Sequence, residues 1–264
     1  MSAAAETMPA VILSVRPLGE SDLLVVLLTP HAGKVRAAAS GARRSKRRFA
    51  GGLSGGAIGR AGLARRSRGL WRLDSFVPSA DHSRVGRDLT RFSYVAYLCE
   101  LTDALVSEPE PEPARFAALS TAILATIESD PQPSVLRQYE LALLDSLGLL
   151  PALSACAVCG EVVEDAAEAV AFDERAGGVL CPRHAGVSAS LSGEVIRLAV
   201  ALGDPEAAHA HAAVAAATAA TRRQLRDLLG GFVRAQLRRP LRSLEFFAKL
   251  SGDKLGGRRG DDAP

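Results

Sequence analysis

Along the first 80 residues, apolar positions come in short runs punctuated by Gly and Pro. Ala10–Arg16 is a run ahead of Pro17-Leu18-Gly19, and Asp22–Thr29 is a second, closed by Pro30 and Gly33. Lys34–Ala39 alternates weakly, Leu53–Leu63 is Gly-rich, and Gly69–Val77 carries Trp71 and ends at Pro78. Five such runs at spacings near ten residues predict five short strands, and a small barrel is the compact way to close them. Leu53–Leu63 has few large apolar residues, so the fourth strand is expected to be weak and the barrel irregular on that side.

After Asp81 the period becomes helical. Leu89–Val106 places Leu89, Phe92, Tyr94, Val95, Leu98, Leu101, Thr102 and Leu105 near one face. The acidic, proline-rich Glu108–Pro113 breaks the pattern, and Pro113–Ile127 resumes it. Ser134 is the expected N-cap of a helix over Val135–Leu147, with Gly148 as its stop. A Cys-containing insert follows from Pro151 to about Ser190. Helices are then predicted at Gly193–Ala201, Pro205–Ala219 and Thr221–Leu237, with a last one over Leu241–Leu250. The polar, Gly-rich residues 251–264 are expected to be disordered. The expected architecture is α+β and multidomain: a five-stranded barrel over 1–80, a helical domain over 81–250 with an insert at about 152–190, and a tail.

Composition alters this picture little. Hydrophobic residues make up 48% of the chain, ordinary for a globular protein. No apolar run is long enough to cross a bilayer and residues 1–9 lack the features of a signal peptide, so no membrane association and a cytoplasmic, nucleoid-associated location are expected.

Charge changes it more. The net charge is only +3, yet the 51 residues from Leu23 to Leu73 hold twelve basic residues and no acidic one. At the chain's mean acid content, about five or six carboxylates belong in such a window. The basic residues are Lys34, Arg36, Arg43, Arg44, Lys46, Arg47, Arg48, Arg60, Arg65, Arg66, Arg68 and Arg72. An unneutralised basic segment attracts polyanions, nucleic-acid backbones foremost. On a small barrel the Arg43–Arg48 run and the Arg60–Arg72 group can form one surface that tracks phosphates. Phe49 and Trp71 are base-stacking platforms or, more simply, core residues. A weaker basic strip, Arg222, Arg226, Arg234 and Arg238, reads as a solvated helix face or as a contact for DNA or an acidic peptide.

The cysteines supply the other chemistry. Cys156-Ala157-Val158-Cys159 is followed by Cys181-Pro182-Arg183-His184, two pairs with two intervening residues each. This spacing matches a tetrahedral zinc site built from two knuckles, with Phe172 and Gly177-Gly178 in a hairpin that returns the second pair to the first. A site with four protein ligands has no open position, so Zn2+ here is structural. A Cys156/Cys159 redox pair lacks a surrounding βαβ pattern, and a Cys181/His184 nucleophile and base lack an orienting third group. Cys99 sits on an apolar helical face and reads as core. No helix-turn-helix, Walker loop, dinucleotide fingerprint or hydrolytic carboxylate pair is present, so a non-enzymatic binding protein is expected. The alternatives are a zinc-containing nucleic-acid enzyme and a transcription or ribosome-associated factor.

The segment Val11–Lys34 (VILSVRPLGESDLLVVLLTPHAGK), with Ser40–Arg44 after it, resembles the start of the bacterial recombination mediators of the RecO family. Glu108–Pro111, Tyr139–Pro151 (YELALLDSLGLLP), the Cys156/Cys159 pair, Gly177-Gly178 before Cys181, and Leu241–Phe247 (LRSLEFF) follow in the same order. The resemblance runs from about residue 10 to residue 250. It implies an N-terminal OB-fold and a helical C-terminal domain carrying a zinc-finger insert. It also implies binding of single- and double-stranded DNA, annealing of complementary strands, and help, with RecR, in loading RecA onto strands covered by single-strand-binding protein (SSB), whose acidic C-terminal tail is contacted. His184 departs from the Cys most common at the fourth metal position in that family; imidazole suits zinc equally well.

Overall fold

The computed structural model describes residues 5–45, 47–49, 52–65, 69–163, 169–204, 207 and 209–244. Five strands, β1 (Glu6–Leu18), β2 (Asp22–Thr29), β3 (Gly33–Ala39), β4 (Ile58–Ala64) and β5 (Trp71–Pro78), close a barrel in the order β1-β2-β3-β5-β4. All neighbours are antiparallel except β3 and β5, which pair in parallel at Ala37 with Trp71 and Ala38 with Arg72. Alternate side chains fill the interior: Ala10 and Ile12, Val25 and Leu27, Val35, Ala37 and Ala39, Ala61 and Leu63, Leu73 and Phe76.

The Gly-rich fourth strand closes the barrel fully. A Cβ at Gly59 would overlap the Val77 carbonyl oxygen and crowd the Phe76 ring, and one at Gly62 would meet Ser75 Oγ. Small residues are thus what lets β4 lie against β5, and Phe76 supplies the missing bulk. The expected irregularity survives as a register shift between Gly62 and Leu63.

Val11, Leu13, Val26 and Leu28 point away from the barrel interior yet are buried. The unbroken apolar runs of β1 and β2 follow from this, because both faces of these strands are covered. The covers are α1 (Leu89–Leu105), which packs on β1, and α2 (Pro113–Glu128), which packs on β2. Asp88 caps α1 by accepting from the Thr90 and Arg91 amides. The chain accordingly forms two compact units, Met1–Pro131 with Arg238–Pro264, and Gln132–Leu237. α1 and α2 fall in the same compact unit as the barrel. Glu100 on α1 accepts from the Arg242 and Ser243 amides and the Ser243 hydroxyl, which ties the returning segment to the same unit.

The second unit contains α3 (Pro133–Ser146), a three-stranded sheet of β6 (Ala169–Asp173), β7 (Gly178–Leu180) and β8 (Ala189–Ser192), then α4 (Gly193–Gly203), α5 (Ala210–Ala216) and α6 (Ala219–Gln236). The sheet order is β7-β6-β8. The insert is therefore partly β, and β8 has no counterpart in the sequence reading. Ser134 is not a cap. Gln132 precedes the helix, and the Ser134 side chain turns inward to bond His211 Nδ1 at 2.9 Å, while His211 Nε2 lies 3.0 Å from Gln138 Oε1. Glu194, at the start of α4, accepts from the Thr221 hydroxyl of α6 at 2.8 Å. Of the expected helix over Leu241–Leu250, residues 245–250 lie outside the described residues, as does the tail at 251–264.

Candidate nucleic-acid interface and metal centre

The connection after β3 is pinned at both ends. Asp22 Oδ1 accepts from the Gly41 amide at 2.8 Å, and Ser21 O accepts from the Arg43 amide at 3.1 Å. The Gly41 amide, and next the Ser21 hydroxyl, hold the Asp22 carboxyl below the ordinary carboxylate range. At the far end Phe49 enters the barrel core, 3% exposed, and the Arg48 carbonyl accepts from the Phe76 amide. Phe49 is thus a plug and not a stacking platform. Between these anchors Arg43, Arg44, Arg47 and Arg48 are all exposed. Arg43 and Arg48 donate to the backbone carbonyls of Glu20 and Ser40, which orients their guanidinium groups without neutralising them. Among the described residues these four, with Arg60 and Arg65, form no ion pair. Lys46, Arg66 and Arg68 lie outside the described residues.

Folding neutralises other members of the acid-free window with carboxylates from outside it. Lys34 is 6% exposed, and its Nζ donates to Asp103 O at 2.7 Å and Asp103 Oδ1 at 3.3 Å. A buried, paired ammonium is a structural group, so the expected phosphate contact at Lys34 is corrected. Arg36 pairs with Glu108 at 2.7 Å but leaves 59% of its side chain exposed, and Arg72 pairs with Asp74. Asp103 and Glu108 are the residues that a linear count misses: they lie some 70 positions from their partners, and no local pattern announces them.

On α6, Arg222, Arg226 and Arg234 are exposed. Arg222 donates to the Ala215 and Ala217 carbonyls and Arg226 pairs with Asp227, so the strip is partly satisfied. Arg238 follows the end of α6 and falls in the barrel's unit, so it does not extend that helical face.

The cysteine pairs converge. Among the described residues, Cys156, Cys159 and Cys181 Sγ and a ring nitrogen of His184 all lie within 4.8 Å of one another. Cys159 and Cys181 Sγ are 3.8 Å apart; His184 Nδ1 is 3.7 Å from Cys156 Sγ and 3.3 Å from Cys181 Sγ. A tetrahedral ion with bonds of about 2.3 Å to sulfur and 2.0 Å to nitrogen requires ligand separations of about 3.4–3.8 Å, so the donor set fits such an ion. Local backbone shapes it. Gly160, at φ +73°, turns the first knuckle so that its amide bonds Cys156 O, and the His184 amide bonds Cys181 O in the second. Amides of Cys181, Cys159 and Val158 directed at Cys156 Sγ pull that thiol down to about 6. The β6–β7 hairpin delivers Cys181, as its Gly177-Gly178 turn predicted. Cys99 is elsewhere, buried on α1, with its thiol pushed up to about 12 by desolvation.

Both parts of this architecture have family counterparts. Residues 1–81 match the model for Recombination protein O N terminal, and residues 86–245 match Recombination protein O C terminal. This chain belongs to the RecO family. It is 36% identical to the DNA repair protein RecO of Anaeromyxobacter dehalogenans strain 2CP-C over 94% of this chain and 97% of that protein. It is 34% identical to that of Myxococcus xanthus over 92% and 97%, and 38% identical to that of Symbiobacterium thermophilum over 66% and 68%. RecO membership gives the chain a role in DNA repair and recombination. Among the described residues, no helix is long and apolar enough to cross a membrane.

Proposed function

We propose that this RecO-family chain is a recombination mediator whose barrel, residues 1–80, binds single- and double-stranded DNA by its phosphates. The observation that carries this is the pinned β3–β4 connection, which presents Arg43, Arg44, Arg47 and Arg48 with no carboxylate partner among the described residues. Lys46, Arg66 and Arg68, expected from the sequence to contact phosphates, lie outside the described residues, and Arg36 and Arg65 are exposed and proposed to contribute. Guanidinium groups fixed by backbone carbonyls keep outward N–H donors for phosphate oxygens. A surface that screens two backbones at once lowers their mutual repulsion, and complementary strands then pair without nucleotide. No bond is made or broken in this mechanism, which fits a non-enzymatic role. With RecR, the same act helps RecA reach strands covered by SSB, in the cytoplasm and on the nucleoid.

The Cys156, Cys159, Cys181 and His184 donor set is proposed to hold structural Zn2+. When bound, the ion supplies crosslinking of the two knuckles; His184 presents Nδ1 to it. The exposed Arg222, Arg226 and Arg234 of α6 are proposed to receive the acidic SSB tail.

Fluorescence anisotropy with labelled single strands at several salt concentrations tests the interface. Each phosphate contact contributes about 0.7 to the slope of log affinity against log salt for single strands. Replacing Arg43, Arg44, Arg47 and Arg48 by Ala is expected to flatten that slope by about 2 to 3 and to weaken binding alike across sequences. An unchanged slope rejects the assignment. Annealing of SSB-coated complementary strands without nucleotide tests the mediator role.

A further inference from the structure

The barrel's unit contains a pocket that phosphate binding leaves unexplained. It is about 500 Å3 in volume, and Trp71, Met8, Pro109 and Pro111 give it apolar walls. Trp71 packs against the barrel core and remains partly exposed toward this space. The Arg65 guanidinium lies over its indole ring, 5.6 Å from the centroid. The segment Glu108–Pro111 forms the opposite wall and is held close. A Cβ at Gly33 would meet Glu110 backbone atoms at 2.5–2.6 Å, and Arg36 grips Glu108 at 2.7 Å.

We propose that this pocket takes one unstacked nucleobase of a single DNA strand, seated on the face of Trp71. The inference rests on the DNA-binding reading above and adds a base subsite to it. Charge decides which part of a nucleotide enters. Glu6 and Glu108 line the pocket together with Lys34 and Arg65, and Lys34 and Glu108 are already paired with Asp103 and Arg36, so the walls hold no excess of positive charge that would favour a phosphate over a neutral base. The carboxylates also offer acceptors to exocyclic amino groups. Arg65 now covers the indole by a cation–π contact, which at an exposed site is weaker than a stacked base. The base takes the place of Arg65 on the ring, and the released guanidinium meets the phosphate of the same nucleotide. Paired bases of a duplex cannot reach the ring without being unstacked. The pocket therefore distinguishes single strands from duplexes, which the arginine loop alone does not.

Trp71 is the only tryptophan in the chain, so emission excited at the red edge, where tyrosine does not absorb, reads this site alone. The full-length protein is titrated with a labelled single strand, an abasic backbone of equal length and a duplex, following dye anisotropy and tryptophan emission together. The single strand is expected to quench Trp71 saturably, in step with anisotropy. The abasic strand and the duplex are expected to bind without quenching. Trp71→Ala should weaken single-strand binding about 5- to 100-fold and leave abasic binding unchanged, with Trp71→Phe intermediate. Equal quenching by the abasic strand, or anisotropy changes on the single strand with no quenching, overturns the base pocket while DNA binding stands. Absence of anisotropy change with every DNA overturns the DNA-binding reading and the pocket with it. The wild-type comparison needs no variant, so a Trp71→Ala protein that fails to fold does not blunt the test.

Discussion

Lys34 and Arg44 carry the same charge in the same acid-free window, yet their surroundings give them opposite roles. Lys34 is buried against Asp103 and Arg44 faces water. Lys34→Met is expected to destabilise the protein by about 1–3 kcal/mol, because Asp103 loses its partner, while DNA affinity stays within about twofold. Arg44→Ala with Arg47→Ala is expected to do the reverse: stability within about 0.5 kcal/mol of wild type, and weaker, less salt-sensitive binding. Urea unfolding and anisotropy on the same samples check both. Asp22 is the residue to follow with pH. Its carboxyl is depressed by the Gly41 amide, so its stabilisation is fully present above the unfolded carboxylate value and is lost as pH falls through the folded one. The urea midpoint difference between wild type and Asp22→Asn should therefore be largest near neutrality and shrink in acid. In the metal centre, Cys181→Ser should retain less than about half an equivalent of zinc, whereas His184→Cys should retain about one, as measured by metal analysis. The sequence exposed these residues unequally. The four metal donors stand in a pattern readable by spacing, but the neutralisation of Lys34 depends on a contact across 69 positions.

At the scale of elements, β4 shows most clearly what the pattern could and could not convey. Poverty in large side chains looks like weakness when a strand is read alone. Paired with β5, it is the condition for close approach, since Gly59 lies against the Val77 carbonyl and under Phe76. Gly59→Ala is accordingly expected to cost more than about 2 kcal/mol and to lower the melting temperature sharply, although alanine is the smallest possible addition. A loss under about 0.5 kcal/mol would mean that β4 and β5 can separate freely. The other barrel strands were legible because Gly and Pro bound their apolar runs. Most helices were legible from their period, with ends within a few residues, but the one expected over Pro205–Ala219 shrinks to Ala210–Ala216. β8 was not, because Ala189–Ser192 is short and half polar and becomes a strand only through the edge that β6 offers. Ser134 misled for a related reason: a serine ahead of an apolar run signals a cap, but a half-buried histidine two helices on claims its hydroxyl.

For the whole molecule, the two compact units separate the two chemistries. The metal donors all lie within Gln132–Leu237, and Trp71 lies with the barrel in the other unit. Chelation is expected to lower the thermal transition seen by far-UV circular dichroism in the second unit, where the proposed ion would crosslink the knuckles. The transition reported by Trp71 fluorescence should stay in place. A Trp71 transition that moves equally with chelator would show that the units unfold as one. The unbroken apolar runs of β1 and β2 fit the helices that cover these strands and that share the barrel's compact unit.

The first unit is interrupted: its chain leaves at Pro131 and comes back at Arg238. Glu100 waits in α1 for the amides of Arg242 and Ser243, which are synthesised after the whole second unit. On the ribosome, the unit with the metal donors is thus translated whole before the barrel's unit can be completed. A released chain ending at residue 237 would contain the whole second unit and a first one whose Glu100 lacks its donors. The half that begins first is closed last.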